Sequence, residues 1–223
     1  MKETKKRKLI NNFYTLGEEI FSSITHGIGA LLGIAALVLS IVFAALYGDA
    51  MGVVSASIYG ATMVIMYTMS TLYHALTHKI AKKVFRIFDH CSIFLLIAGT
   101  YTPYTLVTLR GPIGWVLFGI VWATAILGIV FNSINMEKFK KFSMASYILS
   151  GWVIIFAMKP LVENLKMGGI ILLIAGGVLY TLGILFYAIK IPYAHPIWHL
   201  FVLAGSICHF FSILLYVLPT DKL

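Results

Sequence analysis

Apolar residues fill this chain in stretches of about 20 or more, interrupted by short polar connections. About 20 helical residues cover the roughly 30 Å of hydrocarbon in a bilayer, so each stretch predicts a transmembrane helix. Seven such spans emerge, near Ile20 to Leu46, Met51 to Thr77, Val84 to Val107, Pro112 to Phe131, Phe142 to Met158, Met167 to Ile189 and His195 to Leu218. The connections carry turn formers, among them Gly48-Asp49, Arg110-Gly111-Pro112, Asn132 to Asn135 and Ile191-Pro192, and leave no room for a second domain. The predicted fold is all-α and polytopic. A basic cytoplasmic tail covers residues 1–19, a seven-helix transmembrane domain 20–218 and a short outer tail 219–223. The first span is too long for a secretory h-region and six more follow it, so the N-terminus is expected to stay in place.

Composition supports a lipid environment. Sixty percent of residues are hydrophobic and only 11% are charged, too few to coat a water-facing surface. Lysine and arginine are distributed unevenly. Lys2, Lys5, Lys6, Arg7, Lys8, Lys79, Lys82, Lys83, Arg86, Lys138, Lys140, Lys141 and Lys190 fall on one side, and Arg110, Lys159, Lys166 and Lys222 on the other. Loops retained in the cytoplasm carry the excess, which puts the N-terminus inside and, after an odd number of crossings, the C-terminus outside. The net charge of +9 reflects this asymmetry together with attraction to anionic headgroups. No domain or aromatic platform accompanies the basic run, so nucleic-acid binding is not expected. Cys91 and Cys208 fall inside predicted helices without a CxxC spacing and read as small packing residues. Gly29, Gly33, Gly168-Gly169 and Gly176-Gly177 suit close helix approach in lipid.

Ionisable groups inside spans are costly and each requires a reason. They are Glu18, Glu19 and His26 early in span one, His74 and His78 at the end of span two, Asp89 and His90 early in span three, and His195, His199 and His209 in span seven. Spans one, three and seven begin on the cytoplasmic side while span two ends there, so nearly all these residues meet in one layer. His195 and His199, four apart, turn to one helix face at a separation able to bracket a metal, although such a pair also occurs as interfacial or core histidines. A third imidazole must come from another helix. His74 is preferred to His78, which adjoins Lys79 at the water boundary, because His74 lies a turn deeper with Ser70 a further turn along its face.

Three neutral imidazoles would leave one tetrahedral position of zinc open, as in catalytic rather than structural sites. Asp89 would then accept a proton from water, its alternative being an ion pair with Arg86 or Lys83. Ser70 would hold the same water or a substrate oxygen, or else bond back to its own helix. Glu19, His26 and His90 are expected to support the ligands, since a ligating histidine needs its other ring nitrogen fixed. His209, ten residues beyond His199, is expected to be a packed histidine hydrogen-bonded across helices.

The residues Glu19-Ile-Phe-Ser-Ser-Ile-Thr-His26-Gly-Ile-Gly, Ser70-Thr-Leu-Tyr-His74, Asp89-His-Cys-Ser-Ile-Phe, Ala98-Gly-Thr-Tyr-Thr-Pro103 and His195-Pro-Ile-Trp-His199 resemble the haemolysin III branch of the progestin and adiponectin-receptor family. The likeness covers the whole chain, with motifs in family order. It implies seven helices, a cytoplasmic N-terminus in the bacterial plasma membrane, and zinc held by His74, His195 and His199. It also implies that Asp89 contacts the metal through water, with Ser70 beside it. A more distant similarity to alkaline ceramidases implies hydrolysis of a lipid amide. Ser22 departs from the pattern, standing where members usually carry asparagine.

Three functions compete. The first is zinc-dependent hydrolysis of an amide or ester bond in a membrane lipid. The second is a pore-forming cytolysin, which seven continuous apolar spans disfavour because they would hold the chain in the producing membrane. The third is a sensor of membrane composition in which zinc only pins helices together.

Overall fold

The computed structural model describes residues 14–189 and 191–219. Most of the predicted basic tail, Lys190 and all but the first residue of the predicted outer tail lie outside the described residues. Among the described residues every regular element is helical. They are α1 (Leu16–Tyr47), α2 (Ala50–Ala75), α3 (Lys79–Pro103), α4 (Pro112–Trp152), α5 (Met158–Asn164), α6 (Met167–Ala188) and α7 (Ala194–Ser212). π turns at Tyr104–Thr108 and Ile213–Val217 extend α3 and α7. Six units are long and apolar enough to cross a membrane: α1, α2, α3 with its π turn, Pro112–Asn164, α6, and α7 with its π turn.

Local chemistry explains where the helices begin. α1 starts earlier than its apolar run because Thr15 and Glu18 form a capping box, Thr15 N–H donating to Glu18 Oε2 (2.7 Å). Asp49 caps α2 by accepting from Gly52 N–H (2.8 Å). Pro112 opens α4, where its missing N–H costs nothing.

The structure departs from the sequence reading in the fourth of these units. No loop runs from Asn132 to Asn135; the helix continues to a break at Asn135 (φ −161°, ψ 91°), whose side chain then caps the returning arm by accepting from Lys138 N–H (3.0 Å). The chain folds back sharply there. Phe131 reaches the rings of Phe139 (4.8 Å) and Phe142 (5.2 Å), whereas residues 11 apart on a straight helix would be about 16 Å apart. A second irregularity lies within the predicted fifth span, where Val153–Ala157 tightens to 3₁₀ geometry. Tyr101 Oη accepts from Ile154 N–H (3.1 Å) and donates to Gly151 O (2.9 Å), so backbone groups left unpaired by the break keep partners without water.

The helices pack in the order α6, α7, α1, α2, α3, α4, and a sparser contact of α4 with α6 closes the ring. The outward surface is apolar, with Leu31 69%, Leu149 72% and Phe156 85% exposed, while Ser22, Ser70, Thr102 and His199 are fully buried. That inversion of the soluble pattern marks a polytopic membrane protein. Packing inside is close. An ideal Cβ on Gly99 of α3 would meet Thr62 Oγ1 of α2 at 1.9 Å, which only glycine avoids. Between α3, the second arm of α4, α6 and α7 lies an apolar cavity of about 140 Å³, walled near one end by His26, Asp89 and His90 and near the other by Tyr104 and Leu161.

Candidate metal centre

Two helix ends bring three imidazoles together. His74 comes from the last turn of α2, while His195 and His199 sit one turn apart at the start of α7. The start of α7 is fixed locally by Tyr193, whose left-handed backbone (φ 61°) turns its N–H to Glu18 Oε1 at 2.8 Å. One charged side chain thus caps α1 and ties the entry of α7 to it.

The Nε2 atoms of His74 and His195 lie 3.2 Å apart and those of His195 and His199 3.0 Å apart. All three residues are buried, and one ligand atom from each lies within 4.8 Å of the others. A tetrahedral ion with Zn–N bonds of 2.0–2.1 Å would set such atoms about 3.4 Å apart.

The opposite ring nitrogens of His74 and His195 are held, whereas His199 Nδ1 has no hydrogen-bond partner. His74 Nδ1 is 2.7 Å from Glu19 Oε2, so Nδ1–H donates to the carboxylate and Nε2 presents its lone pair to the other rings. His195 Nδ1 is 3.2 Å from Tyr14 Oη, and the two rings stack at 4.3 Å. Burial holds the Tyr14 phenol far above its ordinary pKa, so it remains a neutral hydroxyl. His26 stacks on His199 at 3.6 Å and meets Tyr67 edge-on at 5.0 Å. A single proton cannot satisfy three converging nitrogens, whereas a cation accepts all three lone pairs, so the donor set fits a metal ion of zinc's preference.

Ser70 Oγ, one turn from His74, is fully buried and has no hydrogen-bond partner, which leaves its hydroxyl available to a water or substrate oxygen. Asp89 is buried in the cavity wall together with His26, outside the group of three ligands. His90 Nδ1–H donates to Arg86 O (2.9 Å) and lies 3.5 Å from Asp89 Oδ2. His78 is exposed and caps α3, accepting from Ala81 N–H (3.4 Å), so it stands apart from the cluster. Cys91 packs toward Ile129 O (3.8 Å). His209 is packed as expected, its ring against Tyr180 at 5.2 Å, but the hydrogen bond expected of it is not formed at Nδ1, which has no partner.

Two participants were not picked out from the sequence. Lys82 Nζ lies 2.9 Å from Glu19 Oε1 and donates to Tyr73 O (3.1 Å) and Leu76 O (3.3 Å), neutralising the carboxylate and the exposed end of α2 together. Among thirteen basic residues on that side nothing in its spacing distinguished it. Tyr14 had a weak signal, since it immediately precedes the Thr15-x-x-Glu18 capping box and a residue there commonly packs back on its helix.

An all-helical membrane protein with a buried histidine triad at one end is the class these features define. A profile of the family described as Haemolysin-III related matches residues 14–210. The chain is 52% identical to Hemolysin-3 of Bacillus cereus over 204 residues, covering 91% of this chain and 93% of the relative. It is 48% identical to a Hemolysin-3 homolog of Bacillus subtilis (strain 168), covering 91% and 96%. A human relative, Monocyte to macrophage differentiation factor, is 30% identical over 219 residues, covering 93% and 88%. The chain belongs to the haemolysin III-related family, the haemolysin III branch of the progestin and adiponectin-receptor proteins.

Proposed function

We propose that this protein is a zinc-dependent hydrolase of a membrane lipid, cutting an amide or ester bond within a bacterial cytoplasmic membrane. The observation that carries the reading is the cavity wall. It includes Asp89 and His26, and His26 stacks on His199, so a lipid chain in the apolar cavity would end beside the histidine cluster. The domain spans 20–218 with seven crossings, the sharp return at Asn135 dividing the 53 residues of Pro112–Asn164 into two. The lysine and arginine bias favours a cytoplasmic N-terminus.

His74, His195 and His199 would hold the ion, with Glu19, Tyr14 and His26 orienting their rings. Zinc, when bound, supplies Lewis acidity at neutral pH. Asp89 takes the proton from the attacking water as its oxygen adds to the carbonyl carbon, then returns it to the departing nitrogen or oxygen. The Ser70 hydroxyl positions an oxygen of the reacting group from the α2 side. The apolar wall keeps bulk water out and guides the chain of the substrate.

Elemental analysis of purified wild type and His74→Ala tests the metal, and mass spectrometry of lipids incubated with each tests turnover. One zinc per chain in the wild type, lost together with hydrolysis in His74→Ala, is expected. Metal-free wild type refutes the reading. A second reading follows the printed name of the Bacillus cereus relative, Hemolysin-3, and makes the protein a cytolysin. Red-cell lysis by purified protein, undiminished in Asp89→Asn, would favour it.

A further inference from the structure

Beside the apolar cavity lies a second, smaller recess of about 20 Å³, formed where the arms of α4 meet at Asn135 and face the start of α3 and the end of α6. Its lining includes Arg86, Asn132, Lys140 and Tyr147, and it shares His90, Met144, Tyr147 and Tyr187 with the larger cavity. The two spaces therefore adjoin along one wall, and the smaller one adds charged and amide side chains to it.

The donors in the recess are unusual for an apolar bundle. Asn132 is 1% exposed; its Oδ1 accepts from Ser143 Oγ at 2.6 Å, but its Nδ2 has no partner. The neighbouring Tyr147 hydroxyl donates to His90 O (2.8 Å). A buried amide donor left unpaired is destabilising, so its position calls for an acceptor. Lys140 is exposed, with Nζ 5.7 Å from the Tyr187 ring. Arg86 pairs with Glu137 at 2.8 Å, and Lys140 adds a second cation at the opening. His90 is committed through Nδ1 to Arg86 O.

The geometry points to this recess as a binding site for a phosphate oxyanion, carried by an anionic lipid whose acyl chain lies in the adjoining cavity. Lys140 attracts the charge at the opening, Asn132 Nδ2 donates to an oxygen inside, and Tyr147 and Tyr187 line the passage from head to tail. The recess admits an oxygen or two, so the phosphate sits at its mouth while the chain carries most of the apolar contact. The inference goes beyond the hydrolase reading and does not depend on turnover.

The test is binding of short-chain phosphatidic acid, phosphatidylcholine and inorganic phosphate to full-length protein in uncharged detergent, read by native mass spectrometry. Wild type is expected to prefer phosphatidic acid to phosphatidylcholine. Lys140→Glu and Asn132→Asp are expected to weaken phosphatidic acid binding about tenfold or more, as for loss of a hydrogen bond to a charged group. Lys159→Glu, at an exposed lysine outside the recess, should bind as wild type does. Competition by inorganic phosphate would assign the site to the free ion as well, and its absence to the lipid alone. Equal binding of the two lipids, or unchanged binding in Lys140→Glu, overturns the proposal. Lys140 is exposed, so its variant decides even where Asn132→Asp does not fold. Asp89→Asn should bind no more weakly than wild type even if it hydrolyses nothing, which separates this site from the hydrolase reading.

Discussion

Glu19 Oε2 lies 2.7 Å from His74 Nδ1, a contact between the first and second helices across 55 residues of chain. The same carboxylate reaches Lys82 through its other oxygen, so a lysine, a glutamate and a histidine form one line from the helix end to the cluster. Glu19→Gln keeps the size of the side chain but removes the charge that makes the acceptor strong and His74 basic. Zinc affinity should fall about 10- to 100-fold, the usual consequence of losing a partner of a ligating histidine. Chelator competition on purified protein measures it, and an unchanged affinity would show that Glu19 serves only the Lys82 pair.

The sequence was most readable where one physical demand dominated. Hydrocarbon thickness dictated the apolar runs, and the cost of ionisable groups in lipid gave a short list from which spacing and depth drew His74, His195 and His199, which do converge. The spacing of Ser70 and His74 likewise put both on one buried face. Where several demands compete, the pattern is silent. Lys82 is indistinguishable in sequence from lysines that serve topology alone, and the 3₁₀ run at Val153–Ala157 depends on a tyrosine 53 positions away supplying its partner. The fold-back at Asn135 read as a longer loop because asparagines favour turns, yet a single non-helical residue suffices.

Asp89 is buried in the cavity wall but is not one of the three converging ligands. Asp89→Asn should therefore retain zinc at the wild-type stoichiometry while lowering lipid hydrolysis by about 10²- to 10⁴-fold, the range for loss of a general base. Metal content and turnover measured on one preparation separate the two effects. Loss of zinc in this variant would make Asp89 a ligand, and unaltered turnover would remove it from the chemistry.

Two glycines of similar helical setting should respond oppositely to alanine. At Gly99 the new methyl would overlap Thr62 Oγ1, and α2 and α3 would have to separate. Gly99→Ala should cost about 1–3 kcal/mol, as overpacked interiors do, and lower the thermal midpoint in detergent. At Gly119 no atom lies within 4 Å of the same methyl, so Gly119→Ala should leave the midpoint unchanged or raise it slightly through helix propensity. Equal destabilisation by both would mean that the α2–α3 contact is looser than its geometry indicates.

Acid sensitivity should arise partly at the opposite end of the bundle from the histidines, in the Gly48-Asp49 connection. Asp49 accepts from Arg110 of the α3–α4 connection and from Gly52 N–H, and the Arg110 hydrogen bond is the main reason its carboxyl sits below the ordinary carboxylate value. A depressed folded-state value means that the contribution is complete above the unfolded pKa of about 3.9 and is lost as pH falls from there through the folded value. The two side chains are 36% and 49% exposed, so solvent screening limits the pair to about 1 kcal/mol or less. Arg110→Gln should therefore melt slightly below wild type at pH 7, with the gap closing as pH drops below about 4. Thermal midpoints of both proteins in the same detergent from pH 7 to pH 3 measure the gap directly. A difference that stays constant down to pH 3 would assign the effect of Arg110 to packing of the connection and not to its bond with Asp49.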